Sequence, residues 1–112
     1  MYMIEAIIKP TALDGVIEAL VEQGIVGVTA MECKGFGKQK GHTQRYRGGT
    51  MNVGFVPKVL LKVAVSDEMR ETAIETIKSA AQTGEVGDGK LFVHALSQVV
   101  RIRTGETDHA AL

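Results

Sequence analysis

The sequence contains one long segment with no acidic residue and many basic ones. No aspartate or glutamate occurs between Cys33 and Asp67. The basic residues there are Lys34, Lys38, Lys40, Arg45, Arg47, Lys58 and Lys62. Glycines recur through its first part, from Gly35 to Gly54. Such a segment cannot form a core of its own, and a loop of this kind in a small domain is usually functional or disordered. We therefore expect the flanking sequence to form the fold and this segment to meet ligands.

The composition indicates one small globular domain. The chain has 112 residues, 45% of them hydrophobic, and a formal net charge of zero. These values are unlike those of a disordered chain. A subunit of this size buries a modest core, so self-association is expected. Net neutrality argues against general nucleic-acid binding, which needs a surplus of lysine and arginine across a whole face.

The N-terminus and the apolar runs predict the cellular compartment. The N-terminus lacks the basic region, the long apolar run and the cleavage site of a signal peptide. No apolar run reaches the length of a membrane span. The single cysteine, Cys33, argues against an internal disulfide and a cysteine-based zinc site. We expect a cytoplasmic protein without direct membrane insertion.

The hydrophobic periodicity predicts a strand, a helix and a strand on each side of the basic loop. The first half has a strand at 2–9, a helix that begins at 11 or 14 and ends at 23, and a strand at 25–34. The second half has a strand at 59–65, a helix capped by Ser66 that ends near 81, a strand at 91–96 and an extended tail at 99–104. This order predicts an α+β, ferredoxin-like βαββαβ domain over residues 1–112.

Three clusters in the sequence are candidates for anion binding. Residues 35–41 combine glycines with lysines, but a flexible basic surface loop explains them equally well. Residues 87–90 read as a turn, and Lys90 beside two glycines suggests backbone N–H groups around a phosphate. Arg101 and Arg103 would lie on the same side of an extended strand, as an anion clamp or as a solvated edge. Their joint occurrence favours anion binding.

Other candidate chemistry is weaker. The three histidines have neither helical spacing nor a nearby cysteine, so metal sensing is not expected, although His42 stays open. The acids of the C-terminal tail have no nucleophile or general base beside them. The sequence therefore predicts a binding protein and not an enzyme.

Several strings in this chain resemble the PII family of nitrogen and carbon signalling proteins. They are I-E-A-I-I-K-P at 4–10, K-G-F-G-K-Q-K-G-H-T at 34–43, Y-R-G at 46–48, F-V-P-K at 55–58, T-G-E-V-G-D-G-K at 83–90 and V-R-I-R-T-G-E at 100–106. The resemblance implies a homotrimer of ferredoxin-like subunits with a long mobile loop, residues 37–55, between strands 2 and 3. It also implies competitive binding of ATP and ADP in the clefts between subunits, and of 2-oxoglutarate when Mg-ATP is bound.

The resemblance further implies which residues bind these ligands. The nucleotide would be held by Thr29, Gly37, Lys38, Gln39, Ala64, Gly87, Asp88, Gly89, Lys90, Arg101 and Arg103, the two arginines coming from the neighbouring subunit. Gln39 would also help to hold Mg²⁺. The residues for 2-oxoglutarate would be Gly37, Gln39, Lys40, Gly41 and Lys58.

The resemblance also implies the partners. The loop residues Tyr46, Arg47 and Met51 would contact an ammonium-type or other membrane transporter, or a metabolic enzyme of nitrogen metabolism. The chain departs from the family where Met51 replaces a uridylylated tyrosine and Gly49 replaces a phosphorylated serine. Lys38 stands where arginine is commoner, and Lys62 where relatives often have glutamate. An acid-free loop suggests a partner with an acidic surface.

Two further hypotheses follow from the same residues. A regulator of the same family tuned to bicarbonate or a metal would bind adenine nucleotides without responding to 2-oxoglutarate. A slow ATPase would use the lysines beside the nucleotide, but the sequence offers no evident base to activate water.

Overall fold

The structure, a computed structural model, describes residues 1–37, 44–46, 49–51 and 54–112, with the backbone alone for 44–46 and 49–51. Its strands are β1 (Tyr2–Ile8), β2 (Thr29–Gly35), β3 (Gln44–Tyr46), β4 (Gly49–Met51), β5 (Val56–Val65) and β6 (Lys90–Ala95). Its α-helices are α1 (Leu13–Glu22) and α2 (Arg70–Ala81). Short 3₁₀ helices precede both of them, and another lies at Asp108–Ala111.

Four strands form one antiparallel sheet in the order β2-β5-β1-β6. This order places the first and third strands of the βαββαβ pattern at the centre, as in the ferredoxin-like arrangement. The predicted fold class is therefore confirmed. Strands β3 and β4 pair with each other in a separate two-stranded ladder within the 37–55 segment, which the sequence did not predict.

One face of the sheet carries the core. Because side chains alternate along a strand, every second residue of β1 and β5 faces the helices and is buried. These sheet residues are Ile4, Ala6, Ile8, Val59, Leu61, Val63 and Val65. They meet Val16 and Leu20 of α1 and Ala73 and Ile77 of α2. Within the described residues, no helix has the length and hydrophobicity needed to cross a bilayer.

The opposite side of the sheet, here called the open face, is not covered by the helices. Its central positions include Met3, Ile7 and Leu60, and its edges expose Met31 and Phe92 by 43% and 44%. Glu5 Oε1 and His94 Nε2 lie 3.3 Å apart across β1 and β6. One subunit thus leaves in solvent a sheet surface on which apolar side chains lie beside the charged residues Glu5, Lys62 and Lys90.

Two local predictions differ from the structure. The second strand begins at Thr29 and not at Ile25, because Gly24 and Gly27 adopt φ of 76° and 78° and turn the chain before β2 starts. Ser66 stands before the second helical segment, but its side chain makes no capping hydrogen bond, and a 3₁₀ turn at Asp67–Met69 precedes α2.

The expected extended tail at 99–104 is wrong. Val100 forms an isolated bridge with Thr107, and the Gly105 N–H donates to the Arg101 carbonyl at 2.7 Å. Gly105 has φ of 72°, a conformation that glycine adopts without strain. The chain therefore turns back between these residues. Arg101 lies at the start of this turn and Arg103 within it. The two residues therefore do not lie on one side of a strand.

Candidate ligand-binding site

The segment from Thr83 to Lys90, here called the glycine turn, connects α2 to β6. Gly87 and Gly89 adopt φ of 105° and 103°, a region that other residues rarely enter. A Cβ atom on Gly89 would lie 1.6 Å from the Ile7 carbonyl oxygen. Both the backbone angle and the contact with β1 therefore require glycine at 89. The turn is held directly against the sheet at the end where β6 begins.

The Asp88 carboxylate organises the glycine turn from inside. It accepts hydrogen bonds from the Thr83 hydroxyl, from the Thr83 N–H at 2.7 Å and from the Gly84 N–H at 2.8 Å. The Lys9 ammonium lies 3.3 Å from its Oδ1. These donors, the Thr83 hydroxyl first among them, hold the pKa of Asp88 well below its ordinary value of 3.8. Asp88 therefore shapes the turn through contacts within the subunit.

The pH dependence of the turn follows from this lowered pKa. Because the ionised carboxylate is favoured in the folded state, its contribution to stability is present at neutral pH and is lost as the pH falls through the folded pKa. We expect the Thr83 and Gly84 amide signals to titrate with a midpoint well below 3.8, measured by ¹⁵N-resolved NMR on acidification. A midpoint at or above that value would mean that the carboxylate does not hold the turn.

Lys58 on β5 contacts the glycine turn from the other side. Its ammonium donates a hydrogen bond to the Gly87 carbonyl at 2.5 Å. Its side-chain stem lies against β2, where a Cβ on Gly35 would be 3.2 Å from the Lys58 Cγ. Lys58 therefore lies between the end of β2 and the glycine turn.

Two phenylalanines flank the ends of the 37–55 segment. The rings of Phe36 and Phe55 are 5.8 Å apart between centroids and tilted by 51°. Both rings remain largely exposed, by 58% and 67%. This contact ties the residue that follows β2 to the residue that precedes β5.

The expected nucleotide residues fall into two groups at opposite ends of the sheet. The first group contains Gly37 after β2 and residues 87–90, and Lys58, which is expected to bind 2-oxoglutarate, lies beside them. These residues are here called the turn end. The second group, here called the tail end, contains Thr29, Ala64, Arg101 and Arg103. Lys90 pairs with Ile7 on β1 whereas Ala64 pairs with Met3, so these two positions are separated by about 13 Å along the strand.

The distance along β2 is longer still. Thr29 begins this strand and Gly35 ends it, which at the usual rise corresponds to about 20 Å. One subunit thus brings Lys58 together with residues 87–90, but it does not bring Thr29 or Ala64 to them.

The two arginines belong to the tail end. The Arg101 guanidinium contacts Glu106 Oε1 at 3.0 Å and the Leu112 carbonyl at 3.2 Å. Leu112 and Ala64 line the same surface cavity, which places Arg101 near the end of β5. Arg103 is exposed in the turn that follows.

Some expected residues lie outside the described part of the chain. They are Lys38, Gln39, Lys40, Gly41 and Arg47. Tyr46 and Met51 are described only as backbone positions in β3 and β4. In the ranges whose side chains are described, no group of three or more histidine, cysteine, aspartate or glutamate residues is placed to hold a metal ion.

Three contacts in this region were not predicted from the sequence. Thr83 and Lys9 both bind the Asp88 carboxylate, and Phe36 packs on Phe55. Thr83 followed by glycine, five residues before an aspartate, was a usable turn signal. Lys9 carried no such signal, because its contact depends on the position of β1 in the sheet.

Comparison with known proteins identifies the family. The family model described as "Nitrogen regulatory protein P-II" matches residues 1–106. The chain belongs to the P-II family. It is 54% identical over 112 residues, the full length of both chains, to "Nitrogen regulatory protein P-II" of Klebsiella oxytoca and to "Nitrogen regulatory protein P-II 1" of Escherichia coli (strain K12). It is 58% identical over 107 residues, 96% of each chain, to the "Nitrogen regulatory protein P-II" of Rhizobium meliloti (strain 1021).

Membership of the P-II family confirms the resemblance seen in the sequence. The P-II proteins are nitrogen regulatory, signal-transduction proteins and not enzymes. Membership of this family therefore confirms the prediction of a regulator and not an enzyme.

Proposed function

We propose that this P-II protein senses ATP, ADP and 2-oxoglutarate at clefts between the subunits of a homotrimer. Through residues 37–55 it would control a transporter or an enzyme of nitrogen metabolism. The observation that carries the proposal is the division of the expected nucleotide residues between two ends of the sheet. Arg101 and Arg103 are expected to bind the same phosphates as residues 87–90, yet they lie at the other end of the sheet. A complete site would therefore combine the turn end of one subunit with the tail end of another.

The chemistry of the turn end suits a phosphate chain. Glycines at 87 and 89 allow the backbone to come close to a ligand, and backbone N–H groups in such turns bind anions. The exposed Lys90 supplies a positive charge at the start of β6. On the tail end, Arg101 and Arg103 supply guanidinium groups that match phosphate oxygens. One phosphate chain would thus be contacted by the backbone N–H groups of the turn, by Lys90, and by Arg101 and Arg103.

The residues proposed to bind the phosphates only partly suit the Mg²⁺ that accompanies ATP. Gln39, the residue expected to help hold it, offers an amide oxygen, which is a ligand type that Mg²⁺ accepts. When bound, the ion would neutralise part of the phosphate charge. Lys58 would then pair with a carboxylate of 2-oxoglutarate, with Gly37, Lys40 and Gly41 nearby.

The open face supports assembly into a trimer. It exposes Met31 and Phe92 on the two edge strands, with Leu60 between them on β5. Exposed apolar side chains grouped on one face often mark an interface between proteins. A closed cyclic trimer would cover it, and would also bring unlike ends of neighbouring sheets together.

Regulation would follow from binding linkage. If ligands at the turn end favour one conformation of the 37–55 segment, partners with different affinity for the conformers respond. A coupling free energy of roughly 1–3 kcal/mol is sufficient for such a switch. The segment has basic residues and no acidic one, which suits a cytoplasmic partner surface rich in acidic groups.

Calorimetric titration of the purified protein tests the proposed ligands. We expect ATP and ADP to compete for the same sites, and 2-oxoglutarate to bind only when ATP and Mg²⁺ are present. Failure to bind either nucleotide would reject the proposal. Nucleotide binding without any effect of 2-oxoglutarate would instead favour the alternative regulator, and the same titration repeated with bicarbonate or divalent metals would then identify its signal.

A further inference from the structure

Lys58 is buried, which is unusual for a lysine. Among the side chains that the structure describes, it is the one charged group that is buried, with 7% of its surface exposed. An ammonium group is removed from water only at a cost unless it is hydrogen-bonded. The described partner of Lys58 is the Gly87 carbonyl, at 2.5 Å. A neutral backbone group therefore holds this charge.

The direction of the Gly87 carbonyl depends on its contact with Lys58. Gly87 has φ of 105° and no side chain to restrict its backbone, so its peptide group needs an external contact to fix its direction. A peptide unit is planar and trans. When its carbonyl points toward Lys58, the N–H of Asp88 in the same unit points to the opposite side. The hydrogen bond from Lys58 thus sets the direction of a backbone donor.

The stem of Lys58 fixes where its ammonium lies. It packs against Gly35, where a Cβ would be 3.2 Å from the Lys58 Cγ. Asp88, next to Gly87, is held separately by Thr83 and Lys9. Asp88 is therefore held by Thr83 in the same turn and by Lys9, which follows β1. Gly87 is held by Lys58 on β5.

We propose that Lys58 is a positioning residue for the nucleotide turn, acting through the Gly87 carbonyl when no dicarboxylate is bound. This inference rests on the proposed function and deepens it. The role is separate from the expected contact of Lys58 with 2-oxoglutarate. A carboxylate that reaches Lys58 would act on the same ammonium that holds Gly87, so one side chain connects the dicarboxylate to the phosphate-binding backbone.

Substitution of Lys58 by methionine separates the two roles. Lys58→Met keeps most of the apolar stem and removes the donor. We expect ADP, titrated without any dicarboxylate, to bind roughly tenfold more weakly, as expected for a lost charge-assisted hydrogen bond. Lys58→Arg keeps a cationic donor and should restore most of the affinity. Lys34→Met, at the same end of the sheet on β2 and exposed, removes an equal charge and should change the affinity little.

Backbone amide measurements on the unliganded protein provide the second readout. Lys58→Met should shift the Gly87, Asp88 and Gly89 amide signals and speed their hydrogen exchange, whereas Lys34→Met should not. An ADP affinity and amide exchange unchanged by Lys58→Met would overturn the inference. A loss of the same size in Lys34→Met would also overturn it, because simple charge attraction would then account for the effect.

Failure of the proposed function would give a different pattern. If the unaltered protein binds no nucleotide, the proposed function is rejected. The positioning of Gly87 by Lys58 is then tested by amide exchange alone. Faster exchange confined to residues 87–89 in Lys58→Met would still support the positioning of Gly87, and unchanged exchange would overturn it.

Discussion

Replacement of Gly89 by alanine should destabilise the protein by roughly 2–4 kcal/mol and remove nucleotide binding. The added Cβ would lie 1.6 Å from the Ile7 carbonyl oxygen, and φ of 103° is strained for any residue with a side chain. Ile7 is part of β1 at the centre of the sheet, so the clash cannot be relieved by moving a flexible side chain. Chemical denaturation measures the first effect and nucleotide titration measures the second.

Two other glycines are matched controls for Gly89→Ala. Gly84 has φ of 87° but open space around its Cβ position, so Gly84→Ala adds strain without the clash and should cost about 1 kcal/mol. Gly15 lies in α1 with open space, and Gly15→Ala should stabilise the helix by about 0.5–1 kcal/mol. Equal losses for Gly84→Ala and Gly89→Ala would contradict the close approach of the turn to β1.

Replacement of Leu61 by alanine should destabilise the fold by about 2–5 kcal/mol. Leu61 is fully buried on β5 and packs in the core between the sheet and the helices. Truncation removes buried apolar contacts and leaves a cavity, because surrounding strands can relax only in part. Thermal or denaturant unfolding measures the loss. A change below about 1 kcal/mol would mean that the core does not depend on this position.

A substitution at the neighbouring Leu60 tests assembly of the subunits separately from their folding. Its side chain points to the open face, away from the helices, and is partly exposed in one subunit. We expect Leu60→Asp to retain the secondary structure of the subunit and to prevent trimer formation, as measured by circular dichroism and sedimentation. An intact trimer with aspartate at this position would contradict the burial of the open face between subunits.

Much of the fold was predictable because its signals are local. The two-residue alternation in β1 and the helical spacing of Val16 and Leu20 depend only on neighbours in the sequence. Together with the order of the elements they were sufficient to predict the ferredoxin-like arrangement. The start of β2 was missed because two glycines with positive φ, at 24 and 27, decide it, and the residues themselves look like a strand.

The site was less predictable, because its contacts join distant parts of the chain. Lys58 and Gly87 are 29 residues apart, and nothing in either local sequence indicates that they touch. The turn that contains Arg101 depends on pairing between Val100 and Thr107, whereas the alternation of arginines alone suggested a strand. The sequence could point to these clusters as anion-binding candidates, but it could not show that they lie at opposite ends of one sheet.

Subunit mixing tests most directly whether the nucleotide site is shared between subunits. Lys90→Ala disables the turn end, and the double variant Arg101→Ala with Arg103→Ala disables the tail end, so each protein alone should bind ATP weakly. In trimers assembled at random from equal amounts of the two co-expressed variants, about a quarter of the clefts would combine two intact ends if each cleft takes its ends from two subunits.

We expect these mixed trimers to recover ATP binding in a corresponding fraction of sites. Mixtures of Arg101→Ala with Arg103→Ala should recover none, because both changes lie in the same end. Mixed trimers of the first pair that bind no more ATP than the separate variants would contradict a site formed between subunits.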